Sequence, residues 1–198
     1  MTPKRIFVLN GHPGTSSLCR ALAERYANAA RDAGHDVRVT HLSDLDFDMD
    51  FGTGSYENRK PLEPCLEKHV LQNMEWCGHM IVTAPLWWGG LPAKLKGLFD
   101  RTLEPGRTFD PRKRNILGMP TPVLVGRTAR IVMTSDTPFW FLSLVYGRAI
   151  VRQLRGQIFG FIGFKRTNIT WLAGASEPSQ THVAKWLNKL TDLGAAGG

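Results

Sequence analysis

Two short stretches carry residue types suited to holding a ligand. The first is Gly11-His-Pro-Gly-Thr-Ser-Ser17, which opens onto a helical pattern beginning at Leu18. Backbone N–H groups at a helix start, with the helix dipole behind them, form an anion site. Ser16 and Ser17 add hydroxyl donors. No Lys-Ser/Thr pair ends the loop, so it is not a nucleoside-triphosphate loop, and the Gly-x-Gly-x-x-Gly dinucleotide fingerprint is missing. What remains is a cradle for one phosphate ester or, more plainly, a helix N-cap. The second stretch is Pro85-Leu-Trp-Trp-Gly-Gly-Leu-Pro92. Large aromatics on a strand-end loop are costly unless they cover something, and glycines let backbone N–H groups approach a ligand closely. A planar ring with carbonyl acceptors would use both features; ordinary packing of Trp87 and Trp88 is the alternative.

Other constellations carry less. Cys65-x3-His69 and Cys77-x-His79 match no standard zinc spacing, so no metal site is expected; core thiols and surface histidines fit better. No Gly-x-Ser-x-Gly elbow is present. The run Asp44, Asp46, Asp48, Asp50 lacks the glycine and terminal glutamate of a calcium loop.

These loops need elements to position them. Arg5-Ile-Phe-Val-Leu9 is a continuous apolar run of strand formers, suited to a strand buried on both faces. Leu18 to Ala33 places Leu18, Leu22, Ala23, Tyr26 and Ala30 on one helix face, and Gly34 ends it. Val37 to Thr40 is the next strand, completing a βαβ unit. Asp44 to Lys60, with Gly52 and Gly54, reads as a long connection, and Pro64 to Trp76 as a helix. Further strands are expected at His79–Ala84, Ala129–Thr134 and Thr167–Leu172. Helices are expected at Pro92–Leu103 and Ser179–Leu193, and another from near Trp140 to Leu154. Gly106 to Val125 is a basic, proline-rich excursion, and 194–198 a frayed tail. The alternation predicts an α/β fold over residues 1–193, one flavodoxin-like domain: five parallel strands with helices on both faces. Such a sheet binds its ligand beyond the carboxyl ends of its strands. The loops Asn10–Ser17, Pro85–Gly90 and Ser135–Pro138 lie there.

Composition sets outer bounds. The chain has 198 residues, 42% of them hydrophobic, and a net charge of +8. That excludes a disordered or collagen-like chain. Three cysteines cannot form a closed disulfide framework, so a reduced, cytoplasmic setting is expected. The longest apolar stretch, Phe139 to Tyr146, falls far short of the ~20 residues a spanning helix needs. The charge is uneven: Lys94 to Arg166 holds fourteen basic and four acidic residues, the remainder eleven and thirteen. A basic half suggests an anionic partner: nucleic acid, a phosphate-bearing cofactor or a membrane surface. No nucleic-acid-binding signature is present.

Asn-Gly-His-Pro-Gly-Thr-Ser-Ser after the first strand, Pro-Leu-Trp-Trp-Gly-Gly-Leu-Pro-Ala-Lys-Leu-Lys-Gly-Leu-Phe-Asp-Arg from 85 to 101, and Ile-Val-Met-Thr-Ser-Asp-Thr-Pro from 131 to 138 together resemble the flavodoxin-like NAD(P)H:quinone oxidoreductases over nearly the whole chain. The resemblance implies a flavin, FMN or FAD, with NAD(P)H as co-substrate and a small-molecule electron acceptor, a quinone or an electron-poor aromatic. It implies that His12, Ser16, Ser17 and Leu18 hold the flavin phosphate and ribityl chain. Pro85, Leu86, Trp87 and Trp88 would line the isoalloxazine, and Thr134, Ser135, Asp136 and Thr137 would meet its polar edge. Backbone donors near Gly89 and Gly90 would stabilise reduced flavin. Phe109 would edge the substrate pocket. The apolar run, with Trp140 and Tyr146, would roof that pocket at a homodimer interface. One departure stands out. Where well-known members have Thr-Thr-Gly-Gly followed by Tyr and His, this chain has Thr134-Ser-Asp-Thr137, no histidine from Pro138 to Gly156, and Tyr146 alone. Rival expectations are a flavin-binding electron carrier and a regulatory subunit of a transporter.

Overall fold

β1 (Arg5–Asn10) buries all four side chains from Ile6 to Leu9. A strand apolar on both faces belongs at the centre of a covered sheet. It pairs in parallel with β2 (Asp36–His41) on one side and β3 (His79–Pro85) on the other. A computed structural model of the chain describes residues 2–52 and 58–198; Gly54 of the long connection lies outside them. Between β1 and β2 runs α1 (Leu18–Asp32), which buries Leu22, Ala23, Tyr26 and Ala30 against the sheet. Gly34 leaves the helix at φ 85°, a conformation only glycine adopts without strain.

The helix expected over 64–76 is present in three joined pieces: α2 (Pro64–Leu66), a π-helical stretch (Glu67–Leu71) and α3 (Gln72–Trp76). After β3 come α4 (Ala93–Thr102) and a two-stranded antiparallel hairpin, β4 (Phe109–Arg114) with β5 (Pro120–Pro122). The hairpin is the form taken by the basic excursion. β6 (Thr128–Ser135), α5 (Phe139–Val145) and α6 (Ala149–Arg152) follow, the last running into a π-helical stretch, Gln153–Gly160. β7 (Arg166–Ala173) and α7 (Gln180–Ala196) end the chain. The sheet order is β2-β1-β3-β6-β7, all parallel. One apolar cluster packs α1 and α7 on one face, around Leu22, Tyr26 and Leu190. The larger cluster packs the other face, around Leu66, Met74, Leu98 and Phe159.

Three local expectations are corrected. The helix starting near Trp140 does not run through to Leu154. Gly147 and Arg148 both sit at φ 56°, in the left-handed region, and split it into α5 and α6. Nor does the tail fray after Leu193. α7 continues to Ala196 with Gly197 as its left-handed cap, and Lys4 Nζ donates to Gly197 O at 2.9 Å. The missing side chain of Gly194 lets α7 lie directly on the Tyr26 backbone, where a Cβ would come within 2.4 Å of its carbonyl oxygen. His79, expected at the surface, is buried and bonds Thr128 Oγ1 through Nδ1 at 2.7 Å.

Candidate active site

Parallel pairing in register brings the strand ends together. Asn10 lies opposite Thr83, Pro85 opposite Thr134 and Ser135 opposite Ala173. The loops that leave these positions therefore share one rim. Two adjoining cavities open there, of about 270 and 550 Å³. Leu86, Ser135 and Asp136 line both, so they form one cleft with two ends.

The smaller end is built on the start of α1. Ser17 is the N-cap, and its Oγ accepts from Arg20 N–H at 3.1 Å. The first turn of α1 holds no acidic residue, which suits an incoming anion, although the Asp136 carboxylate also lines this end. His12 is held from two sides. Its backbone N–H donates to Asn10 Oδ1 at 3.2 Å, and its Nδ1 accepts from Gly14 N–H at 2.9 Å. With Nδ1 accepting, a neutral ring carries its proton on Nε2. Trp87 meets that ring edge-on, with centroids 5.6 Å apart. His12, Ser16, Ser17, Leu18, Pro85, Trp87 and Thr134 all line this end.

The larger end lies between two loops. Leu86, Trp88 and Gly89 form one wall and Ser135, Asp136 and Thr137 the other, with Leu142, Tyr146, Ala149 and Ile150 behind. The first wall is fixed by Leu86 N–H, which donates to Thr134 O at 2.8 Å. The second is fixed by Thr137 N–H to Ser135 Oγ at 3.0 Å and by Trp171 Nε1–H to Thr137 O at 2.9 Å. Asp136 stands where the ends meet. Its carboxylate accepts from Ser176 Oγ at 2.5 Å and from Ser176 N–H at 2.8 Å. These bonds, the hydroxyl first, hold its carboxyl below the usual carboxylate range. Beneath the cleft, burial pushes the Cys19 thiol up to about 11, against the opposing effect of its 3.4 Å bond with Thr134 Oγ1. It is no thiolate nucleophile at neutral pH.

Most of the residues picked out from sequence thus share the cleft, but two do not. Phe109 is buried at the hairpin base, its ring 5.1 Å from that of Phe161, and lines a separate cavity of about 250 Å³. The hairpin's backbone bonds, Gly106 N–H to Phe109 O and Val123 N–H to Thr108 O, hold it there. Trp140 is 63% exposed on α5, with its ring against Phe141. Gly90 is also unsuited as a donor to ligand, because its N–H is used by Trp87 O at 2.9 Å. Conversely, Ala175 and Ser176, in the loop after β7, also line the smaller end, though no local sequence pattern marks that loop. Its position beside β6 was the available signal, since both strands end at the same rim. Among the described residues no cluster of three or more metal-ligating side chains occurs.

Chemically, the cleft offers a helix start suited to an anion joined to a larger slot of mixed polar and apolar lining, with an ionised carboxylate at the junction. A family model described as flavodoxin-like fold matches residues 4–193. The chain belongs to this family. A relative in Nitratidesulfovibrio vulgaris, an FMN-dependent NADH:quinone oxidoreductase, is 27% identical over 167 residues, 76% of this chain and 77% of its own. Two solved structures share the flavodoxin-like fold. An NAD(P)H:quinone oxidoreductase from Methanothermobacter marburgensis superposes with a TM-score of 0.79 at 19% identity, covering 98% of this chain and 96% of the other. An FMN-dependent NADH-azoreductase from Bacillus anthracis, in complex with FMN, gives 0.73 at 15% identity, covering 98% of each.

Proposed function

We propose that this chain is an FMN-dependent NAD(P)H oxidoreductase that reduces quinones or related electron-poor aromatics. The observation that carries the reading is the two-ended cleft, an acid-free helix start joined through Leu86, Ser135 and Asp136 to a larger slot walled by Leu86, Trp88 and Gly89. A phosphorylated, planar cofactor matches both ends, and the family relatives named for FMN and quinones support it. The residues present fit the group. His12, Ser16, Ser17 and Leu18 would take the phosphate and ribityl chain. Pro85, Leu86, Trp87, Trp88 and Gly89 would line the ring, and Thr134 to Thr137 its polar edge. When bound, flavin supplies the ability to accept a hydride and pass it on.

The chain's own residues supply binding and order. His12 lines the anion end, and with its Nδ1 taken by Gly14 N–H it would offer Nε2–H as a donor there. Leu86 and Trp88 would line one side of the slot against the bound ring. Donor and acceptor would take turns at the side near Tyr146 and Ile150, because one slot serves both. That is a ping-pong cycle. Asp136, held ionised by Ser176, disfavours negative charge at the junction and favours a ligand edge that donates hydrogen bonds to it. Exposed Trp140, Leu144, Val145 and Tyr146 beside the slot support a homodimer in which a second copy covers α5. A cytoplasmic setting accords with three free cysteines.

The test is anaerobic mixing of the FMN-loaded protein with NADH and then with a quinone. Bleaching by NADH and full recovery by quinone, with parallel lines in double-reciprocal plots, is the expected result. Bleaching without quinone turnover assigns an electron carrier instead, and protein that takes up no flavin overturns the reading. A monomeric mass in light scattering removes the dimer.

A further inference from the structure

Positive charge and uncovered apolar surface meet at one place that the cleft does not use. The β4–β5 hairpin stands apart from the main sheet. Its base is anchored: Val123 N–H donates to Thr108 O at 3.0 Å, Leu124 N–H to Ile162 O at 2.9 Å, and Leu124 is buried. Its tip is different. Ile116 is 102% exposed and Leu117 78%, with Met119 also exposed. The tip is nonetheless well built. Asn115 Oδ1 accepts from the N–H groups of Leu117 and Met119 at 2.9 and 3.0 Å, and Asn115 N–H donates to Met119 O at 2.9 Å. The fold therefore holds two aliphatic side chains outward on a closed turn, with exposed Met119 beside them. Arg112, Lys113 and Arg114 come immediately before, all exposed. Arg112 bonds Asp110 at 3.3 Å, and Arg114 donates to Gly118 O at 3.0 Å, which brings its guanidinium to the tip itself.

We propose that this tip docks the protein on the surface of an anionic lipid bilayer. Ile116 and Leu117 enter the headgroup layer, and Arg112, Lys113 and Arg114 meet the lipid phosphates. Aliphatic side chains flanked by cations are what an anionic interface binds. A second copy is a poorer occupant. A symmetric tip-to-tip contact would set three cations against three, and two side chains cover far less than a stable protein interface needs. Attachment would be peripheral, because no helix among the described residues is long and apolar enough to cross a membrane. The docking does not rest on the redox reading. If both hold, the cleft works beside the phase in which apolar quinones dissolve.

The experiment is flotation of the full chain with vesicles of phosphatidylcholine alone or mixed with phosphatidylglycerol, at low and high salt. The wild type should float with the phosphatidylglycerol vesicles at low salt and be released at high salt. Ile116→Ser with Leu117→Ser should lower the partition constant about tenfold while thermal melting and oligomeric mass stay unchanged. Changing Arg112, Lys113 and Arg114 to Gln should cost roughly fivefold per charge and remove the preference for phosphatidylglycerol. The proposal is overturned by absence of flotation with phosphatidylglycerol vesicles, or by equal flotation of the serine variant. A serine variant that changes oligomeric mass but keeps vesicle binding assigns the tip to a second copy and also overturns it.

Discussion

Trp87 and Gly90 exchange both backbone hydrogen bonds, at 3.0 and 2.9 Å. That pair closes a two-residue turn and sets φ to 51° at Trp88 and 77° at Gly89. Gly89 adopts this at no steric cost, whereas a side chain in the left-handed region costs about 1–2 kcal/mol. The Trp88 ring recovers none of that by burial, since it is 105% exposed. Trp88→Gly should therefore raise the stability of flavin-free protein by about 1 kcal/mol in urea unfolding. In the loaded protein it should weaken flavin binding or raise the acceptor KM, because the slot loses its wall. A variant less stable than wild type, or equal to it in flavin and acceptor binding, would sink this account of the turn.

The three cysteines differ in reactivity for a physical reason. Burial pushes Cys19 up to about 11 and Cys77 up to about 12, while Cys65 is partly exposed on α2. Only a thiolate reacts readily. Iodoacetamide followed by peptide mass spectrometry should mark Cys65 in native protein and reach Cys19 and Cys77 only on unfolding. Fast native labelling of Cys19 would show that the floor of the cleft opens.

Arg101 on α4 is buried, yet charged. Its Nη2 donates to Glu63 Oε2 at 2.9 Å and to Pro61 O at 2.7 Å, and its Nη1 to Lys60 O at 3.3 Å. It thus ties the long connection to the core. Arg101 holds Glu63 below the usual carboxylate range, against the upward push of burial, which is the largest single influence. Glu63→Leu leaves the guanidinium buried without its counter-ion and should cost on the order of 3 kcal/mol. Chemical denaturation measures it; a loss within the ±0.5 kcal/mol typical of surface changes would contradict it.

How much of this was legible beforehand follows from where the signal lies. Strand positions were readable because Ile6 to Leu9 and Met80 to Val82 are apolar runs on both faces, a pattern that suits central parallel strands. The rim loops followed, since parallel strands put their exits on one edge. Phe109 was misplaced because its environment is decided by Phe161, far along the chain, and no local pattern announces that contact. The break in the helix after Val145 was written in Gly147, yet the apolar run before it masked the glycine. Ser176 was missed because its role depends on Asp136, forty residues earlier on the neighbouring strand's loop.

His79 offers a pH test at the opposite end of the sheet. Burial, with the Arg130 and Lys4 cations adding to it, lowers its pKa from 6.5 to about 4. The neutral ring is what the fold accommodates, with Nδ1 bonded to Thr128 Oγ1. Between those two values the unfolded chain binds a proton that the folded chain refuses. The contribution is therefore fully present above pH 6.5, falls as pH drops, and is gone below about 4. Its size is on the order of 3 kcal/mol. His41, also lowered mainly by burial, adds a slope of its own, so the informative quantity is the difference between wild type and His79→Asn. The variant should lose less stability than wild type between neutral pH and pH 5, as read from urea midpoints. Parallel curves for the two proteins would show that the ring titrates as it does in the unfolded chain.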